Sequence, residues 1–242
     1  MVMIGHYCRD LHFTHVFSGK DAIGKDLKSR GFRCATFDKV DCCTENILHP
    51  AGALWAAVLC MRVMINGVVH FGVDCSPFTW MSRATTGRHL DVCGDDGVSS
   101  VRAGNSMLLF LSWMGVYLLS KGVFYMVENP VGSIISHHPH FQALASLTQH
   151  SRLCTWLGAF GGSAPKPTHL WTTAPLKLAE KHLKRTKPKA LQSSKKAALP
   201  WIKQGRWTNG RPALKETGVY SSEFGKCFAS LVAELLGPMA LE

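Results

Sequence analysis

The sequence predicts an α/β fold, a Rossmann-like sheet with helices on both faces and a small basic appendage. Three observations carry this expectation. A β-rich run at residues 13–17 breaks at Ser18-Gly19, passes into a helical pattern and is followed by a second strand ending on Asp38. Two later apolar, β-branched runs stop at a reactive or acidic residue with proline just beyond, Cys75 before Pro77 and Glu128 before Pro130. Between these runs lie stretches with helical apolar spacing, so strand and helix alternate along the chain.

In chain order, residues 13–17 form the first strand, and Ser18-Gly19 turns into a helix spaced by Ile23 and Leu27 and stopped at Gly31. Residues 32–37 form the second strand. Gly19 and Asp38 stand about as far apart as the ~20 residues that nucleotide-binding folds place between phosphate-loop glycine and ribose-binding acid. Residues 51–65 have helical spacing, and Asn66-Gly67 leads into a buried strand that ends at Asp74, Cys75 and Pro77. Open α/β sheets put their chemistry at such carboxyl ends. A single cysteine there reads as packing or as a nucleophile, and the residue alone does not choose. A polar loop with Asp91, Asp95 and Asp96 follows, long enough for a lid. Residues 105–119 read as a helix, 123–127 as a strand stopping at Glu128. Residues 222–236 read as an amphipathic helix with Phe224, Phe228, Leu231 and Leu235 on one face and Ser222 as N-cap.

The organisation expected is a catalytic-type domain over residues 1–176, a basic segment over 177–220 and a C-terminal helix over 221–242 packing back on the first unit. In residues 177–215, twelve Lys or Arg stand against Glu180 alone, with Trp201 and Trp207 interspersed. Basic residues with aromatics suit phosphate contact and base stacking. The formal charge of +11 points the same way, making nucleic acid the expected partner, DNA ahead of RNA. A hydrophobic content of 46% suits a globular chain rather than a disordered one. Nine cysteines without a regular framework suggest reduced thiols, hence an intracellular protein, nuclear if the source is eukaryotic.

No metal is expected. Cys42-Cys43 lack the gap that lets two thiolates reach one zinc, and His137, His138 and His140 crowd around Pro139 as a polar turn without an acid nearby. No membrane partner is expected either. The apolar stretches 52–73 and 106–127 are interrupted by Arg62 and Asn66 and by Lys121 and Gly122, leaving pieces shorter than the ~20 residues of a span. Oligomeric state is not legible.

Together, Phe17-Ser18-Gly19 with Asp38, then Asp74-Cys75-Ser76-Pro77-Phe78-Thr79, then Glu128-Asn129-Pro130 resemble the S-adenosylmethionine-dependent cytosine-5 DNA methyltransferases. That family has a Phe-x-Gly loop after its first strand, an acid ending the second, Pro-Cys-Gln-x-Phe-Ser on the fourth and Glu-Asn-Val on the fifth. The resemblance covers about residues 13–170, and its specificity lies in the ordered set of short motifs. It implies a class I methyltransferase sheet, S-adenosylmethionine as cofactor and methyl transfer to carbon 5 of cytosine in DNA. Cys75 would be the covalent nucleophile and Glu128 the acid, with Asn129 fixing the loop. Lys166 would stand in for the arginine of a later Gln-x-Arg-x-Arg motif, Gln204 and Arg206 being a poorer alternative. The resemblance further implies that Phe17, Ser18 and Gly19 hold the methionine end of the cofactor and Asp38 its ribose. Asn46-Ile47 would meet the adenine, and Phe78 joins the cofactor-binding set.

The chain departs from the family in three places. Asp74 replaces the proline before the nucleophile, where a carboxylate disfavours the thiolate. Lys20-Asp21 stand where a second glycine is usual, which is expected to crowd the methionine pocket. The target-recognition region is reduced to the basic segment. The alternative expectation is a catalytically inactive methyltransferase-like module that binds nucleic acid.

Overall fold

The computed structural model describes residues 8–39, 42, 44–162, 165–188, 202–203, 206–207 and 219–237. Gln204, Trp201 and most of the basic segment lie outside them. The elements are β1 (Leu11–Val16), α1 (Ala22–Ser29), β2 (Cys34–Phe37), α2 (Pro50–Met61), β3 (Val63–Phe71) and the short α3 (Arg83–Thr86). They continue with α4 (Ser99–Ser120), β4 (Phe124–Pro130), α5 (Pro139–Thr148), β5 (Ser151–Trp156), β6 (Pro167–Thr172) and α6 (Leu176–Leu183). A two-strand hairpin, β7 (Ile202–Lys203) with β8 (Arg206–Trp207), precedes α7 (Ser222–Leu236).

The fold is α/β, with a six-strand mixed sheet in the order β2-β1-β3-β4-β6-β5. The first four strands run parallel, and β6 is antiparallel to both of its neighbours. Parallel strands covered on both faces must be apolar on both. Accordingly, Val69 and Phe71 of β3 face one core with Leu59, Leu108, Leu111 and Phe141. Val68 faces the other with Leu27, Phe224 and Phe228. The chain passes from β1 outward to β2 and then returns across β1 to β3. The strand order therefore reverses between β1 and β3, the place where such sheets leave a crevice at their carboxyl ends.

Several element limits differ from the sequence reading. The helix read to Ile65 stops at Met61 because Val63 already pairs with Leu11. Asn66 and Gly67, read as a connector, lie inside β3, where the pairing with β1 shifts register between Leu11 and Phe13. A Cβ at Gly67 would lie 2.8 Å from the His12 carbonyl oxygen, so the strands close only around glycine. The helix α4 begins at Ser99 rather than 105, since Val101 and Gly104 pack beneath the loop after β3; a Cβ at Gly104 would lie 2.9 Å from Pro77. The N-cap of α7 is Ser221, not Ser222, its hydroxyl accepting from the Phe224 amide at 3.2 Å. The helix α6 crosses position 177, where the composition changes, and buries Ala179 and Leu183. His138, read as part of a polar turn, is buried and caps α5, accepting from the His140 amide.

By length and composition α4 could cross a membrane, at a mean hydropathy of 1.3. Leu108, Leu111 and Leu118 on it face the core, while Leu109, Trp113, Val116 and Leu119 are exposed. The stretch 52–73 is helix followed by strand, as is 106–127. The loop with Asp91, Asp95 and Asp96, long enough for a lid, is stapled to α4: Asn105 Nδ2 donates to the Cys93 carbonyl at 2.9 Å and to Asp96 Oδ1 at 3.1 Å.

Candidate active site

The carboxyl ends of β1, β2, β3 and β4 open on one cavity of about 270 Å³, close to the small end of the ~300–1,000 Å³ range of ligand pockets. It stands at the reversal of strand order.

One wall is the exit of β1. Phe17 and Gly19 adopt left-handed backbone (φ 63° and 54°), which turns the Gly19 amide toward β2, where it donates to Asp38 Oδ2 at 2.8 Å. The Asp38 amide donates in turn to Glu45 Oε2 at 2.9 Å. Asn46 and Ile47 line the cavity beside them. The Asn46 side-chain oxygen is committed to the Leu48 amide at 3.0 Å. The hydroxyl of Ser18 is buried with no hydrogen-bond partner. Lys20 and Asp21, which stand where a second glycine is expected, do not line the cavity. Asp21 is buried below it as the N-cap of α1, accepting from the Gly24 amide at 3.0 Å and facing His15 Nδ1 at 3.1 Å.

The opposite wall is the exit of β3, with Gly72, Val73, Asp74 and Cys75. The Gly72 amide donates to the Val16 carbonyl at 3.0 Å, and a Cβ on Gly72 would lie 2.7 Å from the Phe17 oxygen. Asp74 bends back on its own loop, accepting from the Ser76 amide and hydroxyl at 2.9 Å each. Cys75, half-buried, begins a tight turn in which the Phe78 amide donates to its carbonyl at 2.9 Å. That turn drives Phe78 into the core under Arg88, so Phe78 does not line the cavity.

Glu128 closes the floor between the two walls. It is buried, with Oε2 accepting from the Tyr220 hydroxyl at 3.0 Å and Oε1 facing Lys166 Nζ at 3.3 Å, an ion pair without an aligned hydrogen bond. Asn129 lies behind it, outside the cavity, and ties β4 to the loop that carries Cys75 by donating to the Val73 carbonyl at 2.9 Å. Burial pushes the Cys75 thiol up to about 11; Lys166 pulls it down, while Glu128 and Asp74 add to the rise. Asp74, the conspicuous departure in sequence, is therefore the smaller electrostatic influence. Burial, then Glu128, holds the Tyr220 hydroxyl well above its ordinary value.

Of the sequence-derived set, Phe17, Ser18, Gly19, Asp38, Asn46, Ile47, Cys75, Glu128 and Lys166 share this cavity; Asn129 and Phe78 stand behind it. Sequence reading missed Tyr220, which it placed inside the basic segment. Its signal is an aromatic residue directly before the cap of an amphipathic helix, stacked on Phe224 and His15. Among the described residues no group of three or more His, Cys, Asp or Glu is arranged to hold a metal ion.

The cavity thus has an acid and glycine loop at one end, and a thiol, a carboxyl and an ammonium group at the other. Compared with protein-family models and with curated protein sequences, the chain matches none.

Proposed function

We propose that the protein is a class I methyltransferase-like enzyme that transfers a methyl group from S-adenosylmethionine to carbon 5 of cytosine in DNA. The observation that carries this reading is the opening of Cys75, Glu128, Lys166 and the Gly19–Asp38 pair onto one cavity at the strand-order reversal. The residues present fit the cofactor. Asp38 supplies an acid beside the ribose position, Ile47 and Val73 an apolar wall, and Ser18 an unpartnered buried hydroxyl. When bound, S-adenosylmethionine supplies an electrophilic methyl group on a sulfonium centre.

Cytosine carbon 5 is too weak a nucleophile to take that group unaided. Cys75 Sγ passes its proton to the Glu128 carboxylate and bonds to carbon 6, and Glu128 hands that proton on to ring nitrogen 3, so the ring becomes an enamine nucleophilic at carbon 5. After methylation a water molecule takes the proton of carbon 5, the Sγ–carbon 6 bond breaks as the 5,6 double bond returns, and nitrogen 3 gives its proton back through Glu128 to the departing thiolate. Tyr220, by donating to Oε2, leaves Oε1 as the Glu128 oxygen that faces Lys166 and the ring. The target base must be unstacked for its ring to reach Cys75 and Glu128.

Labelled cofactor and 5-fluorocytosine DNA test the reading. Transfer and a covalent adduct are expected with the wild type and neither with Cys75→Ser; no transfer and no adduct from the wild type would refute it. The raised Cys75 thiol favours a second reading, a non-catalytic module that binds nucleic acid. Calorimetry separates the two, because tight S-adenosylmethionine binding counts against a pure adaptor.

A further inference from the structure

A second cavity, of about 710 Å³, opens on the far side of the nucleophile loop. Trp80 stands at its rim, 70% exposed, with the Arg83 guanidinium 4.4 Å above its ring. Arg83 has no carboxylate partner among the described residues, and its Nε is buried without a hydrogen bond. His89 and His137 add two imidazoles, Val92 and Ile134 apolar surface, and among the described residues no acidic side chain lines the groove. Arg88 is already spent on the Val92 carbonyl, Asn105 and the Phe78 ring, so it stiffens the groove rather than serving a ligand.

This combination is selective. A flat exposed indole offers a stacking face, and an unpaired guanidinium above it offers a phosphate contact. An acidic peptide would use the charges and leave the indole idle. The groove also has a fixed relation to Cys75. Thr79 pairs with Ser133, and the Ile134 amide donates to the Phe78 carbonyl at 2.9 Å, so groove and thiol belong to one braced loop. The intervening residues form tight turns at ~2 Å rise per residue, which puts Trp80 only about 10 Å along the chain from Cys75.

We infer that this groove takes an unpaired nucleotide of the strand that carries the target base, with Trp80 stacking on the neighbouring base and Arg83 holding its phosphate. The choice of strand rests on the methyl-transfer reading; the groove's chemistry does not. Polarisation of a labelled single-stranded oligonucleotide with the full chain, without cofactor, tests it. Trp80→Ala weakens binding by about 5- to 150-fold, and Trp80→Phe recovers most of the loss. Arg83→Ala weakens binding and lowers the logarithmic salt slope by about one. Wild-type affinity in both alanine variants would overturn the inference, as would a nucleoside monophosphate or an acidic peptide competing on equal terms with the oligonucleotide. These losses together with a wild type that transfers no methyl group would refute the methyl-transfer reading and leave the groove standing.

Discussion

Cys75 is expected to be a sluggish thiol until a substrate arrives. Its midpoint of about 11, against an ordinary 9.0, makes ionisation about 3 kcal/mol harder. About one molecule in a thousand then carries the thiolate at pH 8. Timed alkylation with iodoacetamide, followed by mass spectrometry of the Cys75 peptide, measures this directly. The rate should climb about tenfold per pH unit through pH 10. Cys42, exposed and held below its ordinary value by a hydrogen bond with Thr44, should react early in the same samples. Two of the three charges acting on the thiol, Lys166 and Glu128, then move the midpoint in opposite directions. Lys166→Met removes the neighbour that lowers it, raising it by about one pH unit or more, and Glu128→Gln removes one that raises it. A wild-type midpoint at or below about 8.5, or faster alkylation in Lys166→Met, would refute the reasoning.

Tyr220→Phe strips the donor from buried Glu128 Oε2, an interaction of about 1.5–3 kcal/mol for a charged acceptor. Single-turnover transfer should slow by about 10- to 150-fold, with cofactor affinity nearly unchanged. Asp38→Ala should do the reverse, weakening S-adenosylmethionine binding about tenfold or more in calorimetry while also freeing the Gly19 amide. Stability should fall on mild acidification. Burial holds His138 and His150 down to about 4 and His70 well below its ordinary 6.5. Because the unfolded chain binds these protons first, stability is full above pH 6.5 and is lost as pH falls below it. The loss is about 1.4 kcal/mol per pH unit for each histidine, readable in urea titrations between pH 7 and 4.

Much of this was legible in the sequence because local signals agreed with the fold. Glycine after β1, acid after β2 and proline soon after Cys75 and Glu128 mark where strands end, and they survive folding as positions around one crevice. Side-chain direction was not legible. Phe78 sits in a matching motif, yet the tight turn at Ser76–Phe78 sends it inward. Asp21 looked like an intruder and is a helix cap, since a left-handed residue at φ 47° turns its carboxylate away from the crevice. Tyr220 was hidden because its partner Glu128 is 92 residues distant, and no periodicity links two such positions. The limits of α2 and β3 failed where Met61 and Val63 suit either state and only pairing with Leu11 decides between them.

Gly72 carries a consequence for how the two reactants would be spaced. The loop beside the glycine turn and the loop bearing the thiol meet through bare main chain, with the Phe17 oxygen where a methyl group on residue 72 would be. On the proposed reading, the gap between methyl donor and acceptor would be set by this peptide-to-peptide contact, with no side chain to act as an adjustable shim. Natural variation can alter the chemistry on either loop while leaving that calibration untouched, but even the smallest side chain at position 72 would reset it.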